Sequence, residues 1–211
     1  MNQTATKVFR FAGAVLVFSG MMTACTVFPR PEPPRVMDFP APKSLQKSDI
    51  SRPESLRIDT PFASEPFNST RILSKPEPWE FQVYRGVRWR DTVPVVLRDM
   101  LTGAFRANAG FRDVATDTSP GNTDLTLATE ITGFHSVSYG ESTRVTIAVH
   151  GQLINNRSRA ILCSDSFIVS APAEDRGVEA VVQAFGSAGE DLAGQVIEWA
   201  NACETRPDQS S

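Results

Sequence analysis

Residues 124–169 alternate apolar and polar side chains with a period of two, and this pattern dictates a sheet with one dry face. Leu125, Leu127, Thr129 and Ile131 alternate with Asp124, Thr126, Ala128 and Glu130. After a turn at Gly140, Val145, Ile147, Val149 and Leu153 alternate with Arg144, Thr146, His150 and Gln152. Asn155-Asn156 then turns the chain into a third strand over 160–169. Successive strand side chains point to opposite faces, so one face needs a cover and the other stays polar. Two segments can supply the cover. Val93, Val96, Leu97, Met100, Leu101 and Ala104 recur three and four apart, behind Asp91 or Thr92 as cap and with Pro94 in the first turn. A longer helix is predicted from about 175 to 202, with Val178, Val181, Val182, Phe185, Leu192, Val196 and Trp199 on one side. Gly186, Gly189 and Gly194 interrupt it, predicting a bend or a close helix contact. Shorter strands are predicted at 56–58, 71–73, 79–84 and 111–114. The economical arrangement is a two-layer α/β sandwich, its sheet mostly antiparallel or mixed, with both amphipathic helices on one face.

The first 24 residues are of another kind. Lys7 and Arg10 precede an apolar run over 11–22, shorter than the roughly 20 residues a spanning helix needs. Met22-Thr23-Ala24-Cys25 then sets small residues before a cysteine, the site that lipoprotein signal peptidase cuts. Residues 1–24 are therefore expected to be an export signal, and Cys25 the acylated first residue of a periplasmic lipoprotein. Thr26, in place of an acidic residue, favours the outer over the inner membrane. Residues 25–54 carry seven of the fifteen prolines and read as a lipidated cysteine followed by a proline-rich tether. The globular domain is expected over 55–203, and a frayed polar tail over 204–211.

Residues that carry chemistry are sparse. The two histidines, His135 and His150, sit in no ligand or triad spacing, and no nucleophile elbow, phosphate-cradling loop or zinc-spaced cysteine pair is present. No catalytic or metal-binding residue and no cofactor is assigned. Glu130, Glu141 and Asp165 are available carboxylates, but nothing in the sequence brings two together. A formal charge of −3 without a basic stripe argues against nucleic acid. Once Cys25 is acylated, Cys163 and Cys203 remain in an oxidising compartment. Cys163 shares its strand face with Ile161, Phe167 and Val169. Cys203 continues the Leu192, Val196, Trp199 side of the last helix. Both thiols thus point into one helix–sheet seam, and a disulfide is expected.

An ordered set of landmarks resembles a known family. Arg71-Ile72 is followed by Val83-Tyr84, a short basic turn and Trp89 opening the first helix. Then come the brief 111–114 strand and a Leu-x-Leu strand ending in Gly133-Phe134. The stretch 167–171 before Pro172 and an end helix with Ala184-Phe185 and Trp199 complete the set. Residues 56–200 resemble the ABC-type transport auxiliary lipoproteins, which include the paraquat-inducible lipoprotein C; Val36-Met37-Asp38-Phe39 stands where that family opens with Tyr-x-Leu. The resemblance implies a membrane-held docking piece without chemistry of its own. Its implied partners are a mammalian-cell-entry substrate-binding protein, forming a tunnel or bridge for phospholipid or other hydrophobic cargo, and the associated ABC permease and ATPase. Such a partner is usually a symmetric ring, which a homo-oligomer of this chain would suit. Arg71, Tyr84, Trp89, Phe134 and Trp199 are the landmark residues and docking candidates; for Tyr84 and Trp89, core anchoring is the favoured reading. The alternative is an outer-membrane lipoprotein that regulates or assembles another envelope machine, such as a peptidoglycan synthase or the barrel-assembly apparatus.

Overall fold

The structure is a computed structural model and describes residues 32–43, 45–49, 51–140 and 142–203; the export signal, Cys25, Glu141 and the 204–211 tail lie outside them. The elements, in order, are β1 (Arg35–Met37), β2 (Arg52–Ile58), β3 (Leu73–Glu77), β4 (Glu80–Val83), β5 (Val87–Trp89), α1 (Val93–Asn108), β6 (Phe111–Thr116), β7 (Leu125–Tyr139), β8 (Ser142–Asn155), β9 (Ile161–Ala173) and α2 (Val178–Ala202).

Seven strands form one mixed sheet, and β1 and β5 form a separate parallel pair. β8 lies antiparallel between β7 and β9 along almost its whole length. The other edge of β7 is shared. Leu125–Leu127 pairs in parallel with β2, which β6 extends, and Ser136 pairs in parallel with Ser74 of β3, which carries β4 as an antiparallel hairpin. A bulge between Ile131 and Gly133 explains how one strand serves both halves. Before it Leu125, Leu127 and Ile131 are buried; after it the inward parity shifts to Phe134 and Ser136. An extra residue in one strand has this effect on every side chain beyond it.

Both helices cover the dry face, giving the expected two-layer α/β sandwich. Val96, Leu97, Leu101 and Phe105 of α1 are buried, as are Val181, Phe185, Leu192 and Val196 of α2. Thr92 is the N-cap of α1, but its side chain makes no capping bond, and α1 ends on Ala109 in the left-handed conformation. The helix α2 continues through all three glycines without a break.

One boundary differs from expectation. The folded unit begins at Pro34, so residues 34–54 belong to the domain rather than to a tether. Proline-rich chain is extended and forms few bonds within itself, but it can still lie along a preformed surface when a large side chain anchors it.

Candidate functional site

That early segment is the first component of the site, and it lies along the helices as a strap. At its start, Arg35 N–H donates to Gly86 O (2.9 Å), Arg90 N–H donates to Met37 O (2.8 Å), and the Arg35 guanidinium pairs with Glu179 of α2. Arg90 also bridges Asp38 of the strap (2.7 Å) and Asp99 of α1 (2.6 Å). Burial opposes ionisation of Asp99, but hydrogen bonds from Arg90 and Arg98 outweigh it and hold its pKa below the usual value. Phe39 is then buried against Trp89 and Phe134, with ring centroids 6.0 and 5.9 Å away, and both of those rings pack on Phe185. Here the glycines of α2 find their role. A Cβ on Gly189 would lie 2.5 Å from the Phe39 ring, and one on Gly186 would lie 2.7 Å from Pro40. Further along, Ser48 N–H donates to Asn108 O (2.8 Å), and the Asn108 side-chain amide donates to Gln46 O (2.8 Å). Arg52 closes the path. Its guanidinium donates to Ala200 O (2.8 Å) and Cys203 O (2.9 Å), satisfying carbonyls at the end of α2, and lies over the Phe111 ring. At the same end Cys163 of β9 is joined to Cys203, with Cα atoms 6.2 Å apart.

The sequence landmarks divide by burial. Trp89 and Phe134 lie in the core beneath the strap, so they are not docking residues. Tyr84 is half-buried, with its hydroxyl 3.0 Å from Ser136 Oγ, and Trp199 packs edge-on against Phe167. Arg71 alone of the five is exposed.

The outer face of β7–β9 is open and mostly polar, with Ile168 exposed among its polar groups. Glu130, His150 and Ser166 sit opposite one another on three neighbouring strands, with His150 Nδ1 3.0 Å from Ser166 Oγ. The row resembles a triad in composition only. Nucleophilic catalysis needs the base oriented by the third group and donors aimed at the developing oxyanion. Glu130 makes no hydrogen bond to His150 among the described residues, and all three lie on the open face of the sheet. Asp165, opposite Gly151, accepts the Ser166 N–H (2.8 Å). The described residues contain no cluster of three or more His, Cys, Asp or Glu able to hold a metal ion.

His135, past the bulge, is covered by Phe67 (6.4 Å, stacked) and Phe81 (5.5 Å, edge-on), and its buried Nδ1 finds no partner among the described residues. Burial, helped by Lys75, lowers its pKa from 6.5 to about 4. The folded state therefore resists a proton that the unfolded chain accepts. The stability that His135 contributes should fall as pH drops from 6.5 towards 4 and be fully lost below, where both states are protonated, while the lowered carboxyls of Asp99 and Asp124 carry further loss to lower pH. Urea unfolding across this range should show the slope in the native chain and a shallower one in His135→Phe. Equal slopes would assign the effect elsewhere.

The two ends of the sheet differ. At one end Asp124 accepts from Ser55 N–H and Oγ (2.8 Å each) and from Arg112 (3.2 Å). The bonds from Ser55 and the Arg112 charge hold its carboxyl below the usual range. Asn156, beside it, donates to Thr123 O (2.8 Å). The polar groups of that end are well matched to one another. The opposite end gathers the β3–β4 hairpin, the β7–β8 turn, the approach to α2 and the start of the strap. A shallow groove there is lined by Lys75, Pro76, Val83, Arg85, Gly140 and Arg176. Nothing in the alternation marked this end, because exposed turn residues follow no period.

Comparison with known proteins agrees with this architecture. The family model for the ABC-type transport auxiliary lipoprotein component matches residues 38–197, beginning inside the strap. The crystal structure of a Xanthomonas campestris protein of the DUF330 family superposes with a TM-score of 0.68 at 24% identity, covering 79% of this chain and 93% of that one. The crystal structure of an uncharacterized protein gives 0.63 at 13% identity, over 80% of this chain and 99% of that one. No curated protein matches the chain in sequence. No described helix is long and apolar enough to cross a membrane.

Proposed function

The chain belongs to the family of ABC-type transport auxiliary lipoproteins, and from that premise we propose that it is a non-enzymatic, lipid-anchored adaptor. It holds a mammalian-cell-entry-type transporter, moving phospholipid or other hydrophobic cargo, at the periplasmic face of the outer membrane. The observation that carries this reading is the strap. Cys25 precedes Pro34 by only nine residues, and from there the chain is bonded at intervals to both helices. Nine residues span at most about 30 Å. An acyl group on Cys25 would thus hold the folded domain within one small-protein diameter of the bilayer. Such confinement raises the effective concentration of the adaptor for a bridge that ends at that membrane.

The test joins the anchor to the pathway. Cys25→Ala should leave an unprocessed precursor and sensitise the envelope to detergent as much as loss of the partner permease does. Combining the two lesions should add nothing. Additive defects, with a peptidoglycan synthase or barrel component recovered by crosslinking from membranes, would replace the transport reading with the regulator reading.

A further inference from the structure

We infer that the end of the sheet where the strap begins is a membrane-facing surface, on which Trp79 and Tyr139 enter the phospholipid headgroup layer. The inference rests on the lipid-anchor reading and adds to it a defined orientation.

The first support is where the chain outside the domain ends. Arg35 is bonded to Gly86 and paired with Glu179, while Arg176, three residues before Glu179, donates to Gly140 O in the β7–β8 turn. The point of attachment and that turn therefore belong to the same end. β8 alone, with 14 residues at roughly 3.3 Å each, places the Asn155 end about 45 Å away. A leash of about 30 Å from Cys25 therefore leaves the attachment end nearest to the bilayer.

The second support is what this end presents. Ser74 pairs with Ser136, so the hairpin tip after Glu77 falls level with Tyr139 and the turn that follows it. Trp79 at that tip is 81% exposed and Tyr139 is 71% exposed, the largest exposures of any aromatic side chains in the domain. Both have an apolar body and a polar atom, the combination enriched at membrane–water interfaces. Charge does not supply the attraction. Lys75, Arg85 and Arg176 at this end are matched in number by Glu77, Glu80 and Asp175. Insertion should therefore depend only weakly on salt or on the anionic lipid fraction.

The chain's own tryptophans provide the probe. Of the three, Trp89 is fully buried and Trp199 packs on Phe167 near the far end of α2, leaving Trp79 as the exposed emitter. The full lipoprotein would be reconstituted in phosphatidylethanolamine–phosphatidylglycerol vesicles carrying lipids brominated near the headgroup or near the bilayer centre. The expected result is co-flotation with the vesicles, quenching chiefly by the shallow bromines, and loss of most of that quenching in Trp79→Phe. Tyr139→Ser should weaken the quenching without preventing flotation. A chain that floats but is not quenched overturns the inference and leaves the anchor intact. Quenching that survives Trp79→Phe overturns it as well. A chain that neither floats nor carries an acyl mass removes the anchor reading, and the inference with it.

Discussion

Gly189→Ala should destabilise the domain, although an alanine in mid-helix ordinarily stabilises one by about 1 kcal/mol relative to glycine. The new methyl would sit 2.5 Å from Cε1 and 2.6 Å from Cζ of Phe39. That ring is wedged against Trp89 and Phe134 and cannot swing aside within the cluster. The strap must lift instead, forfeiting much of a buried phenylalanine, for which truncation to alanine costs roughly 3–5 kcal/mol. The net loss is expected at roughly 2–4 kcal/mol, read from urea denaturation. A double-mutant cycle isolates the cause. With Phe39→Ala already in place, Gly189→Ala should become neutral or stabilising. If Gly189→Ala is stabilising in the native background too, the strap is not seated on α2.

The second large effect belongs to the other end of that helix. Removing the Cys163–Cys203 link, by Cys163→Ala with Cys203→Ala, frees a loop spanning a sequence separation of 40. The chain-entropy account assigns this about 4 kcal/mol, on the order of 10 °C in Tm for a domain of this size. The loss should exceed what the burial of two small side chains explains, because Cys203 O is also an acceptor for Arg52. Thermal unfolding of the double variant, and of the native chain with and without reductant, measures it. Unreduced, denatured protein from the native compartment that labels at both Cys163 and Cys203 would show that no bond forms there.

Much of the sandwich was legible in the sequence because burying one face of a strand or helix imposes a period. The alternation at Leu125–Ile131 and Val145–Leu153 became the centre of the sheet, and the three-and-four spacing from Val93 to Ala104 became α1. The strap was not legible, for the same reason in reverse. It is held by one aromatic ring, one proline, the Arg35–Glu179 and Asp38–Arg90 ion pairs and scattered backbone bonds, none of which repeats. Beyond Val36-Met37-Asp38-Phe39, a trace lay elsewhere in the chain, in Gly186 and Gly189, which the sequence could read only as a bend or a close contact. Phe134 was out of step with Leu125–Ile131 until the bulge supplied the missing residue. Trp79 shows a different limit. Within the alternation of 79–84 it reads as one more strand residue, whereas the fold places it at a hairpin tip in full exposure.

The strap also decides where mechanical load enters the molecule. A pull on the chain before Pro34 meets first the three-residue ladder between β1 and β5 and the Arg35–Glu179 pair, both of which can yield and re-form. Behind them stands Phe39, lodged between Trp89, Phe134 and Gly189 of α2. Tension is thus delivered into the aromatic centre of the domain instead of being absorbed by slack chain. Once that ladder and ion pair have yielded, a pull there would be felt at Trp89, Phe134 and Phe185.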